Sequence, residues 1–276
     1  MFKTNYKATL KSIFRSPIFL ITLGITIILT IAFSHGGSSG EYNLFLLRQE
    51  AGNHIRASCY NLFPPFVGIL ISAHILSEYQ NGFGDLLVSS RKSILSIYLS
   101  KLCAVGTVTL WARFVHLSVW LLWFWCIKYP MAYASIGVSL PLEKILAWYV
   151  VNEAIYAPFL LLCFIAMPVF VTVNTNIPAA GAVWNVAFYL AGFIINRFAR
   201  SEFFLPPRSL DEYIHTFMHI DNPQYMADLQ AGLVPNPFGE IPPTLPEVLI
   251  SYIGWIVFSV ILLAVAYRTL KKRYRE

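Results

Sequence analysis

Apolar residues fill the chain in six long stretches, each flanked by charged residues or by turn-forming Gly, Pro, Asn and Ser. A helix needs roughly 17 to 25 mostly apolar residues to cross a bilayer. On that measure the stretches predict spans over about 17–33, 58–77, 102–127, 146–172, 178–196 and 248–267. Pro17 suits the first turn of the first span, and the run Gly36, Gly37, Ser38, Ser39, Gly40 ends it. Pro64 and Pro65 fall in the first half of the second span, where they predict a kink or a broken start whose freed carbonyls need other partners. Before the first span, Phe2, Tyr6, Leu10, Ile13 and Phe14 recur at helical spacing with lysines between them. That pattern predicts an amphipathic helix over 1–16 lying on the membrane surface. The fold class expected is an all-α integral membrane protein: six transmembrane helices, an N-terminal interfacial helix, and a long loop over 197–247 between spans five and six.

Composition sharpens the exclusions. Of 276 residues, 57% are hydrophobic and only 12% charged, against about a quarter charged in soluble domains, and the mean hydropathy is +0.61. No polar block is large enough for a separate folded domain, so an ATP-binding domain on this chain is excluded. Gly36, Gly37 and Gly40 have no GK[ST] continuation and form no phosphate loop. Cys59, Cys103, Cys126 and Cys163 are scattered through apolar spans without pair spacing, and read as small core residues and not as disulfides or a metal cage.

The net charge of +6 then sets orientation. Basic side chains in the short flanks of spans mark the cytoplasmic face. Lys3, Lys7, Lys11 and Arg15 precede span one, Arg91, Lys92 and Lys101 lie between spans two and three, and Arg268, Lys271, Lys272, Arg273 and Arg275 follow span six. These twelve fall on one side; the other carries Arg48, Arg56, Lys128, Lys144, Arg197, Arg200 and Arg208, diluted by ten carboxylates. Both termini are expected in the cytoplasm. The excess is a topology signal, and no nucleic-acid partner follows from it. A cleaved secretory signal is the competing reading of the first span. It is disfavoured because the apolar run is longer than a signal core and lacks an A-x-A-like site.

Ionisable residues inside spans are costly and default to functional hypotheses. Arg113 lies about 16 Å and His116 about 21 Å into span three from its inner end, on one helical face. Glu153 lies about 10 Å below the outer end of span four, hence at a similar depth. An Arg113, His116 and Glu153 cluster either lines a polar part of a translocation path or locks spans three and four together, and the lock is the favoured reading. His74, near the inner end of span two, reads as an interfacial or packing histidine. In the 197–247 loop, Asp211, His215 and His219 share four-residue spacing, a geometry able to bind zinc or copper. A short amphipathic helix with Tyr213, Ile214, Phe217 and Met218 on the membrane surface explains the same residues without a metal, and no metal is assigned. Trp111, Trp120, Trp123, Phe124, Trp125 and Tyr129 read as an interfacial aromatic belt.

The segment between spans two and three, SEYQNGFGDLLVSSRKSILSIYLSK, carries the most specific pattern. Glu78 ends a span, Asn81, Gly82 and Gly84 allow a tight turn, and Asp85 favours a helix start. Leu86, Leu87, Ile94, Ile97 and Tyr98 would form an apolar face beside Arg91, Lys92 and Lys101. By itself the segment also reads as a solvated basic loop. The acidic residue, the Gly-containing turn, the Leu-Leu pair, Ser-Arg and the following Ile-Tyr-Leu-Ser-Lys-Leu resemble the membrane subunit of type-2 ATP-binding-cassette exporters. The similarity is to Gram-positive permeases beside bacitracin or lantibiotic resistance and peptide-export ATPases. Its sequence-specific part is confined to about 78–102, and Gly82-Phe83-Gly84 and Ser89-Ser90 depart from the Gly-Thr and Pro found in some members.

What the resemblance implies is a coupling segment over 78–101, docking in a groove of an ATPase subunit through Glu78, Gly82, Asp85, Leu86, Leu87, Arg91 and Lys92. It further implies two ATPase copies that bind ATP and Mg, a second permease subunit as homodimer or related chain, and a place in the bacterial cytoplasmic membrane. The chain itself would hold no cofactor and catalyse nothing. The implied cargo is an amphipathic peptide, a peptide antibiotic or a lipid-like compound moved outward. The alternatives are an intramembrane enzyme using His116, Glu153 or the outer histidines, which lacks an accompanying nucleophile or HExxH pair, and a secondary transporter driven by protons through His116 and Glu153, which shows no internal repeat.

Overall fold

The computed structural model describes residues 2–34, 63–71, 74, 93–128, 130, 162, 164–177, 179–185, 187 and 245–273. Among the described residues the chain is helical, broken only by short turns, and holds no strand. The helices are α1 (Phe2–Arg15), α2 (Pro17–Ser34), α3 (Phe63–Ile71), α4 (Ile94–Trp123), α5 (Phe164–Thr175), α6 (179–185) and α7 (Leu245–Arg273). Ile94–Ile127 and Ile253–Arg273 are long and apolar enough to cross a membrane. α1 with the start of α2, bent by 62° at Ser16, makes a third candidate if counted as one broken span.

The helix carrying the expected third span starts eight residues before the predicted 102. Ser93 caps it with extended backbone, its Oγ accepting from the Ser96 N–H at 3.5 Å. From there no Gly or Pro interrupts the run until Gly106, so residues 94–101 form the first two turns of α4 and not a separate piece. At its far end α4 passes into a π-helical turn, Phe124–Lys128. The 34-residue helix is about 51 Å long, well over the roughly 30 Å of a hydrocarbon core. Pro64 and Pro65 sit in the first turn of α3, where a missing N–H costs no helical bond.

α4 is the hub on which α1, α2, α3 and α7 pack. α2 runs in the same direction as α4: Phe19 lies 6.1 Å from Trp111 ring to ring, and Thr26 meets His116 five residues further on. α1 is joined to α4 by the Tyr6 hydroxyl, 2.9 Å from Thr107 Oγ1, and by the Phe14 ring set edge-on to Trp111 at 5.0 Å. Thr107 gives its own proton to the Cys103 carbonyl, so Tyr6 is the donor. Ile13 is fully buried in this corner.

α5 and α6 form an antiparallel hairpin. Asn185 donates to the Phe164 carbonyl, Gly181 lies on Thr172 and Pro168, and the turn passes through Asn176 with φ 60°, its N–H closing on Thr172 O. α3 crosses α6 at Gly68, whose backbone lies directly on Ala182, a close approach open only to glycine. One end of the bundle gathers three segments. Tyr98, in the first turns of α4, donates to Leu263 O and stacks near Tyr267 of α7. Thr269 and Arg273, in the last turns of α7, donate to the side-chain oxygens of Asn174 and Asn176. The start of α4, the α5–α6 turn and the end of α7 therefore share one side.

Two expectations about side chains do not hold. Cys103 and Cys126 are free thiols on exposed faces of the helix, not core residues; a helix apolar all round leaves its small residues nowhere in particular. Cys59 and Cys163 lie outside the described residues. Trp120 and Phe124 are buried and stacked at 5.2 Å, so these two belong to the core and not to an interfacial belt, whereas Trp111 stays 41% exposed beside the Phe14 and Phe19 rings.

Candidate functional site

Polar groups inside the bundle collect on α4. Arg113 is 4% and His116 2% exposed, three residues apart and hence on one face. His116 Nε2 stands 3.0 Å from Thr26 Oγ1 on α2, and the Thr26 hydroxyl gives its proton to Leu23 O at 2.9 Å. The imidazole and the hydroxyl thus join α4 to α2 inside the bundle. Thr26 itself is buried.

Arg113 and His116 lie near the middle of the long apolar helix Ile94–Ile127. A guanidinium and an imidazole at mid-depth are held only where other groups solvate them, so both face inward and away from lipid. Phe114, Trp111 and Leu110, the exposed side chains around them, take the outward face.

Sequence reasoning found Arg113 and His116 but missed Thr26. The available signal was Thr22, Thr26 and Thr30 recurring every four residues in an otherwise apolar helix. Between Thr22 and Thr26 the choice is set by the pairing of α2 with α4: Thr22 bonds its own helix at Ile18 O, whereas Thr26 reaches His116.

The chain matches no protein-family model and no curated protein.

Glu153 lies outside the described residues, as do Glu78, Gly82, Asp85, Leu86, Leu87, Arg91 and Lys92. Asp211, His215 and His219 also lie outside them. Lys101, counted among the flanking cations, is 4% exposed on α4. Chemically, Arg113, His116 and Thr26 offer a fixed positive charge beside a hydrogen-bonded imidazole inside an apolar bundle. That arrangement can tie helices together or accept an anion.

Proposed function

We propose that the chain is the membrane subunit of an ATP-driven exporter of the type-2 ATP-binding-cassette kind, with six spans and both termini in the cytoplasm. Two such subunits, identical or related, enclose a path, and two separate ATPase subunits bind ATP and Mg and drive it. The cargo is an amphipathic peptide, a peptide antibiotic or a lipid-like compound leaving a bacterial cell across its cytoplasmic membrane. The chain contributes no catalysis.

The 78–102 pattern carries this reading, because a chain this apolar has no room for its own motor and that segment supplies a place for one. The gathering of the α4 start, the α5–α6 turn and the α7 end on one side is what a single ATPase-facing surface requires. Closure of two ATPase subunits acts on spans only through stiff elements, and residues 94–101, the last part of the 78–101 segment, form the first two turns of α4. A push on it would be delivered along the helix that holds Arg113 and His116.

Purification in mild detergent tests the reading: the wild type should carry a distinct ATPase subunit, and Asp85→Ala or Leu86→Ala should release it. Absence of any ATPase, with transport running on a proton gradient alone, would replace this reading by the proton-driven one through His116 and Glu153.

A further inference from the structure

Among the described residues the basic face of α1 meets no counter-charge. Lys3, Lys7, Lys11 and Arg15 are all exposed, and they spread across the side of α1 opposite buried Thr9 and Ile13. Among the described residues the single carboxylate is Glu247, near the start of α7, the end remote from Arg273 and Asn176. None of the four cations has an ion-pair or hydrogen-bond partner among the described residues. Thr9 and Ile13 turn into the bundle, Tyr6 bonds Thr107, and Phe14, on the flank of the basic face, sets its ring against Trp111.

Placement names the counter-charge. The 62° bend at Ser16 sets α1 within about 28° of the membrane plane when α2 stands upright. Beyond the bend, Ile18, Leu20, Ile21, Ile25 and Ile28 of α2 form an exposed apolar surface suited to acyl chains. The cations of α1 adjoin that surface at its polar edge, the depth of phosphate headgroups. We propose that α1 is a binding face for anionic phospholipid headgroups, held at fixed height by its attachment to α4. Lys3, Lys7 and Lys11 take the phosphates, and the Tyr6–Thr107 and Phe14–Trp111 contacts transmit the seating of α1 to α4. The inference rests on the membrane reading alone and not on an ATPase partner.

The test uses the full chain in mixed vesicles of phosphatidylcholine and phosphatidylglycerol, extracted gently, with the co-purifying phospholipids quantified. A cation meeting an anionic surface contributes about fivefold in local enrichment. The wild type should hold phosphatidylglycerol at least about fivefold above the vesicle ratio, and rising salt should erase the excess. Lys3→Gln, Lys7→Gln, Lys11→Gln together should bring the ratio to that of the vesicle, while the matching triple Lys→Arg variant should keep it. Equal ratios in wild type and the Gln variant overturn the proposal. So does loss of a co-purifying protein in the Gln variant with the lipid ratio unchanged, which would assign the face to an acidic protein groove. Release of an ATPase by Asp85→Ala is read separately and leaves this outcome untouched.

Discussion

One methyl group placed at four glycines separates helix contact from lipid contact in this bundle. At Gly68 an added Cβ would stand 2.8 Å from Ala182 Cα and 3.2 Å from Gly181 O. Comfortable carbon–carbon contact begins near 3.5 Å, so α3 and α6 would have to part by about 0.7 Å at their crossing. Backbone atoms cannot swing aside as a side chain can, and overpacking of this kind costs about 1–3 kcal/mol. The helix-propensity gain of Ala over Gly, at most about 1 kcal/mol, offsets only part of it. At Gly181 the new methyl would run into Thr172 Oγ1, which bonds Pro168 O at 2.6 Å, and would lie 3.0 Å from that same carbonyl. Gly24 and Gly254 have nothing within 4 Å. The four Gly→Ala variants, unfolded by SDS titration in mixed micelles, should therefore split by sign. Gly68→Ala and Gly181→Ala should lose about 1–3 kcal/mol, and Gly24→Ala and Gly254→Ala should be neutral or gain up to about 1. A Gly68→Ala protein as stable as Gly24→Ala would refute the crossing of α3 on α6.

Three further measurements address the polar contacts. Thr26→Val keeps shape and removes the hydroxyl that meets His116 Nε2, so a double-mutant cycle with His116→Leu should give a coupling of about 0.6–1.7 kcal/mol, with Thr22→Val showing none. Asn176 holds a left-handed φ and accepts from Arg273, so in the same SDS titration Asn176→Ala should cost about 1–2 kcal/mol. Asn176→Gly recovers the backbone share only. Exchanging the charges of Arg113 and Glu153 should restore part of the stability lost in Glu153→Gln, and failure of the exchange would separate their roles.

Legibility differs sharply between elements. The bounds of α2 were readable because Pro17 starts the helix where the apolar run begins, and the amphipathic α1 was readable from lysines spaced between Tyr6, Leu10 and Ile13. The start of α4 was missed by eight residues, since Lys101 looked like a flank and is instead buried. The reading of Trp120 and Phe124 as belt residues failed for a related reason: aromatic rings suit both a headgroup layer and a helix core, and composition does not distinguish them.

Sequence by itself determined what this chain must do about solvent: an apolar composition with few charges forces helices long enough for a bilayer. It also singled out Arg113 and His116, because an ionisable group in an apolar run is conspicuous wherever its helix goes. Only the tertiary structure decided which neighbours they meet. Thr26 rather than Thr22 faces His116, Gly68 rather than Gly24 carries a helix crossing, and Tyr98 joins the end of α7. In a soluble protein the water-facing side of a helix is polar and gives its orientation away. A helix between lipid and apolar neighbours is hydrophobic on every side, so its inward face is set by close packing and by single hydrogen bonds, neither of which leaves a periodic trace in the sequence.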